Sequence, residues 1–191
     1  MDKAGEMWRF DGALARVSRM AGMGMLTLRG DLATEAIGGA VSAAVGLAVP
    51  QTRRIGFGPQ GAVAWMSPDE LLLLVPGADR AARQEAMRPP LEGRHHLLAD
   101  VSDARAVFTV EGPACRDVLA KIMPVDLDPR AFGPGQILRS RAGQVAAAIW
   151  MEREERITLL CFRSVAGYMG ELLKTSAGES GDPAYFRPEA G

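Results

Sequence analysis

The sequence predicts an α+β fold built from two copies of one strand-helix-strand-strand-helix unit, and three observations predict it. Met25-Leu-Thr-Leu-Arg-Gly30 and Val107-Phe-Thr-Val-Glu-Gly112 are alternating strands that each run into a helical pattern, with Thr27 and Thr109 82 residues apart. Ala62-Val-Ala-Trp-Met66 and Ala147-Ala-Ile-Trp-Met151 match in turn, with Trp65 and Trp150 85 residues apart. Each is followed by an acidic turn, a second apolar strand (71–75 and 157–162) and a helical segment (79–87 and 164–173). Hydrophobic period therefore switches between 2 and 3.6 in the same order in both halves. Two copies at so long a period exclude a solenoid. Residues 1–177 read as a single globular domain of two pseudo-repeats, about 24–90 and 98–176. Residues 178–191 read as a flexible tail, rich in Gly, Pro and charge, anchored only by Tyr185 and Phe186.

Each element has its own justification. In the first half, the apolar run of about 13 residues from Gly38 to Pro50 reads as a core helix. Gly38 and Gly39 each cost it about 1 kcal/mol relative to Ala, for which close backbone packing is one compensation. In the second half, Cys115, Val118, Leu119 and Ile122 fall at i, i+3, i+4 and i+7, with Pro113 suited to the first turn. Asp117 and Lys121 read there as a solvent-side i,i+4 pair. In the last helix Ser164 is placed to cap the N-terminus, and Val165, Tyr168, Met169 and Leu172 form the buried stripe. Pro and Gly clusters at 56–61, 88–93 and 123–135 mark loops.

Composition narrows the function classes. The 191 residues carry 22 Lys+Arg against 23 Asp+Glu and are 48% hydrophobic, with a pI near 6.2. A chain of this length buries about 70% of its unfolded surface and needs no metal or disulfide to build a core. No basic block provides a footprint for nucleic acid. The polar start, interrupted by Lys3, Glu6 and Arg9, has no apolar leader, and the longest apolar run falls short of the roughly 20 residues of a membrane span. Cys115 and Cys161, in apolar-periodic segments, read as buried free thiols of a reducing compartment, which places the chain in the cytoplasm.

Several residue patterns invite chemical readings. Gly56, Gly58 and Gly61 satisfy G-x-G-x-x-G, but that motif cradles a pyrophosphate only between a strand and a helix N-terminus; here a strand follows and Pro59 removes an amide, so a turn is expected. His95 and His96 would point to opposite faces of a strand and have no Cys or carboxylate partners at metal spacing; no metal site is expected. No G-x-S-x-G supports nucleophilic catalysis. Asp100-Val-Ser-Asp103 places two acids beside a strand, where they either make side-chain turns, the favoured reading, or orient a substrate. Glu152, Glu154 and Glu155 alternate with Arg153 and Arg156 in a solvated hairpin turn. Trp65 and Trp150 occupy equivalent repeat positions, where they pack in the core, flank a planar ligand or anchor a subunit interface.

Asp100-Val-Ser-Asp-Ala-Arg105, Val110-Glu-Gly-Pro-Ala-Cys-Arg-Asp-Val-Leu-Ala-Lys121, Asp126-Leu-Asp-Pro-Arg-Ala-Phe-Gly-Pro-Gly135 and the closing Cys161-Phe-Arg-Ser164 together resemble the gamma subunits of heterotetrameric sarcosine oxidases. The resemblance is dense from Asp100 to Leu173 and looser over Thr27 to Val75. The same stretch is more distantly similar to the aminomethyltransferase T-proteins of glycine cleavage and to related folate-binding domains. That likeness implies a duplicated α+β fold with a folate-type cleft. The T-protein hairpin, however, carries paired glycines followed by two acids, one serving the folate chemistry, where this chain has Gly143-Gln144-Val145-Ala146-Ala147-Ala148. A methyl group can neither take a proton nor hold an amine, so the resemblance transfers no catalytic residue.

What the resemblance implies is a non-catalytic subunit of a complex that oxidises the N-methyl group of sarcosine to give glycine and hydrogen peroxide, passing the one-carbon unit to tetrahydrofolate. FAD, FMN and NAD would belong to the larger alpha and beta subunits and zinc to the delta subunit, with no cofactor or metal in this chain. Its work would be to complete the assembly and wall part of the folate side of an internal cavity. The Phe132 loop and the Tyr185-Phe186 tail are the expected interface. Two rivals stand beside this reading. A stand-alone folate-dependent aminomethyltransferase would rely on Asp100 or Asp103 and would show turnover; a free-standing folate sensor would bind without turnover.

Overall fold

A computed structural model of the chain describes residues 5–178 and 181–187. Along the chain run β1 (Gly5–Asp11), β2 (Arg16–Ala21), β3 (Met23–Arg29), α1 (Glu35–Val45), β4 (Ile55–Gly58), β5 (Gly61–Ser67), β6 (Glu70–Pro76), α2 (Arg80–Leu91) and β7 (Leu97–Asp100). Then follow β8 (Arg105–Glu111), α3 (Cys115–Ala120), β9 (Ile137–Ala142), β10 (Val145–Arg153), β11 (Arg156–Phe162) and α4 (Ala166–Ala177). The chain divides into two compact units, one of residues 22–103 and one formed by residues 6–21 with 104 onward. Each is an α+β unit on an antiparallel sheet, and the sheets have the orders β4-β5-β6-β3-β7 and β1-β2-β8-β11-β10-β9. Of the expected tail, residues 179, 180 and 188–191 lie outside the described residues.

Both units hold a strand that periodicity does not reveal. β4 is Ile-Gly-Phe-Gly, half glycine, so its alternation is invisible; it pairs with β5 through Gly58 and Gly61. The expected glycine loop is therefore a two-residue hairpin turn. β9 pairs with β10 from Val145↔Ala142 to Trp150↔Ile137, and its Arg139 and Arg141 mask its apolar positions. The polar start also forms a strand: β1 and β2 join the sheet of the second unit, with Val17 opposite Val110.

In the first unit, one sheet face presents Leu26, Leu28, Leu71, Leu73 and Val75 to Ile37, Ala40, Val41 and Ala44 of α1 and to Met87 and Leu91 of α2. α1 starts and stops earlier than expected, because Thr34 Oγ1 accepts from Ile37 N at 3.5 Å and Gly46 closes the helix in the left-handed region at φ 68°. Gly39 has the packing reason anticipated for it, since a Cβ there would sit 3.3 Å from Pro90 Cβ; Gly38 has none, since a Cβ would meet nothing within 4 Å. α2 runs through Pro89 and Pro90, where a loop is expected from the sequence. The prolines remove two N–H donors from the last turn, but the fully buried Met87 and Leu91 hold that turn against the sheet.

In the second unit α3 and α4 pack on Phe108, Val110, Ile149, Met151, Ile157 and Leu159. Residues 163–165 form a 3-10 turn before α4, so Ser164 caps nothing: Val165 is the N-cap residue and makes no side-chain cap bond. The later start rotates the buried stripe by one residue, to Ala166, Met169, Gly170, Leu173 and Ala177. Tyr168 is consequently exposed. Asp117, expected on the solvent side of α3, is fully buried.

Candidate functional site

Asp100 ends β7, and a 3-10 turn over Ser102–Ala104 follows. Asp100 Oδ1 accepts from Ser102 N at 2.9 Å and from Ser102 Oγ at 2.5 Å. Its Oδ2 lies 3.1 Å from Arg80 Nε. Ser102 Oγ in turn accepts from Met25 N at 2.9 Å, tying the turn back to β3. Partial burial pushes the Asp100 carboxyl up, but the Ser102 hydroxyl and amide and the Arg80 guanidinium outweigh it, so the acid titrates below its ordinary range. An acid held ionised by turn contacts is poorly tuned for proton transfer near neutrality. Asp103 is exposed on the same turn.

The β9–β10 hairpin, where the folate chemistry of the resembling family would sit, turns at Gly143, whose N–H donates to Ile122 O at 2.8 Å and whose φ is 56°. Ala147 and Ala148 behind it are buried and Ala146 is exposed. The methyl groups of these three alanines can neither take a proton nor hold an amine. Trp150, on β10, is fully buried opposite Thr158 and Ile137. Trp65 is half-buried on β5 opposite Leu71, in the other unit.

Two buried polar residues of the six-residue α3 are tied by several contacts: Arg116, which sequence reasoning passed over, and Asp117, which it placed on the solvent side. Arg116, buried, donates through Nη1 to Leu127 O at 2.8 Å and Phe132 O at 2.6 Å. Its Nη2 lies 3.4 Å from Met151 Sδ and 3.1 Å from Glu154 Oε2. One guanidinium thus fastens the Pro-rich loop between α3 and β9 and the β10–β11 turn. Asp117 accepts the amides of Tyr185 and Phe186 at 2.8 and 3.2 Å. No periodic pattern marks Arg116; the hint is a short helix followed by a long loop whose carbonyls need donors.

The three expected interface residues take different positions. Phe132 is fully buried in the core and offers no surface itself. Tyr185 is 76% exposed, and its ring meets that of half-buried Phe186 edge-on, 4.8 Å between centroids. The loop around Phe132 exposes Arg130, which donates through Nη2 to Asp128 at 2.8 Å and draws that carboxyl well below its usual range.

Cys115 and Cys161 are free and buried, and burial pushes each thiol up to about 11. His95 and His96 are exposed in the loop before β7, with His96 Nδ1 2.8 Å from Arg94 O. Among the described residues no group of three or more His, Cys, Asp or Glu is placed to hold a metal ion, and no helix is long and apolar enough to cross a membrane.

Residues 29–179 match the model of the family described as "Sarcosine oxidase, gamma subunit family". Curated relatives include the sarcosine oxidase subunit gamma of Corynebacterium sp. (strain P-1), 35% identical over 61% of this chain and 57% of the relative. That of an Arthrobacter species is 32% identical over 61% and 57%. The aligned stretch thus spans less than two thirds of these relatives. Among solved structures, a chain of the heterotetrameric sarcosine oxidase from Corynebacterium sp. U-96 superposes with a TM-score of 0.80 at 26% identity, covering 88% of this chain and 87% of that one. The glycine cleavage system aminomethyltransferase T from Bartonella henselae shares the fold, with a TM-score of 0.61 at 13% identity over 81% of this chain and 44% of that one.

Proposed function

The chain belongs to the sarcosine oxidase gamma subunit family, and we propose that it works as the gamma-type, non-catalytic subunit of a heterotetrameric sarcosine oxidase in the cytoplasm. Its partners are the alpha, beta and delta subunits. FAD, FMN and NAD sit in the larger subunits, and tetrahydrofolate accepts the one-carbon unit released as sarcosine becomes glycine. The observation that carries this reading is the extent of the likeness, which covers 88% of this chain and 87% of a chain of a heterotetrameric sarcosine oxidase. A subunit role also agrees with an Asp100 committed to its turn.

The subunit's surface contribution centres on Tyr185, held outward on a fixed backbone, and on the loop that Arg116 fastens from beneath. Tyr and Arg are the residue types that anchor interfaces, and a preformed backbone lowers the ordering cost of docking. Phe132 supports that loop from the core. The test is reconstitution. The purified chain alone should give no sarcosine-dependent peroxide, and adding it to the other three subunits should restore assembly and turnover. Turnover by the chain alone, abolished in Asp100→Asn or Asp103→Asn, would favour a stand-alone folate enzyme instead.

A further inference from the structure

We propose that residues 182–187 form a strap latched onto the core by Asp117, and that this carboxylate is kept buried in order to receive it. Asp117 is 0% exposed, on a helix whose neighbours Cys115, Val118 and Leu119 are equally buried. A carboxylate in such surroundings is costly unless it is paired and hydrogen-bonded. Its Oδ1 accepts from Tyr185 N at 2.8 Å and Phe186 N at 3.2 Å, while among the described residues Oδ2 makes no hydrogen bond and is balanced by the charge of Arg187, whose Nε lies 3.4 Å away. Two successive amides converging on one oxygen recognise a backbone, whatever its side chains.

The strap is also organised internally. Asp182 Oδ1 accepts from Ala184 N at 3.1 Å and from Arg187 Nη2, and Ala184 takes the left-handed region at φ 46°. Asp182 and Arg187 thus close a loop whose inner edge offers the amides of Tyr185 and Phe186 to α3. Phe186 packs against the core cluster while Tyr185 points to solvent. Among the described residues, the Asp117 carboxylate and the packing of Phe186 on the core fasten this segment. The strap lies beyond the stretch matched by the family, which ends at residue 179. The inference stands on these contacts and does not depend on the subunit reading.

The experiment compares Asp117→Leu in the full chain and in a chain truncated after Gly178, reading Tm, with hydrogen exchange of the unsubstituted full chain alongside. The Tyr185 and Phe186 amides should exchange at least about tenfold more slowly than in an unstructured segment. Asp117→Leu should lower the Tm of the full chain. In the truncated chain it should raise Tm, or lower it by less than half as much, because there the carboxylate has already lost the strap amides it accepts. The same loss of Tm in both chains, or unprotected amides at 185 and 186, would overturn the proposal. The exchange measurement needs no variant, so it decides even where Asp117→Leu fails to fold.

Discussion

Replacing Arg116 tests what holds the irregular part of the second unit together. Its side chain is 6% exposed, against 63% for its ion-pair partner Glu154. The energy should therefore come from the two carbonyls that Nη1 reaches, at 2.8 and 2.6 Å. Hydrogen bonds from a charged donor contribute about 1.5–3 kcal/mol each, and a buried acceptor left alone costs about 1–3 kcal/mol. Arg116→Ala removes both bonds and leaves a cavity, so it should destabilise by about 3–6 kcal/mol, the sum of two charge-assisted bonds. Glu154→Ala removes only a solvent-screened pair and should cost about 0–1 kcal/mol. Arg116→Met fills the cavity and removes the buried charge but orphans the carbonyls, and should fall between them. Urea unfolding of the three variants, monitored by the fluorescence of the three tryptophans, measures these differences. A loss below about 1 kcal/mol for Arg116→Ala, or one matched by Glu154→Ala, would refute the assignment of the stabilisation to the loop carbonyls.

Gly38→Ala should stabilise by about 0.5–1 kcal/mol, because the helix gains propensity and the new methyl meets open space, whereas Gly39→Ala should gain less or lose, its methyl arriving 3.3 Å from Pro90; thermal unfolding orders the two. Neither cysteine should react with Ellman's reagent at pH 8 in the folded chain, and both should react in denaturant, since each thiol is buried and pushed up to about 11. Asp100→Asn should destabilise by about 0.5–1 kcal/mol at neutral pH, a figure reduced for solvent screening. Because the folded carboxyl titrates below its ordinary 3.8, that difference should be complete above 3.8 and fade as pH falls through the lowered value; urea midpoints at pH 7, 5 and 3 follow it.

The duplication is legible because Thr27 and Thr109, and Trp65 and Trp150, lie in strands whose apolar residues alternate cleanly. β4 escaped because glycine carries no hydrophobic signal, and β9 because its arginines interrupt one. Continuation of α2 through Pro89 and Pro90 is a tertiary override: two lost donors are outweighed by the burial of Met87 and Leu91. Asp117 shows the sharpest limit. An acid four residues before Lys121 on a helix matches a surface pair, and the amides that Asp117 meets lie more than sixty residues downstream, where no local pattern reaches. The turn chemistry of Asp100 and Ser102 was legible because Asx contacts are local. Arg116's grip on Leu127 and Phe132 was not, because nothing in the loop's own residues names its donor.

The subunit role itself is tested most directly by tagging the chain at its native level of expression, purifying it, identifying what accompanies it by mass spectrometry and recording the flavin absorbance of the material. Larger flavin-bearing subunits should accompany the chain, with sarcosine-dependent peroxide formation in the same fraction. A lone, colourless chain from cells whose sarcosine oxidase is active and complete without it would contradict the assignment.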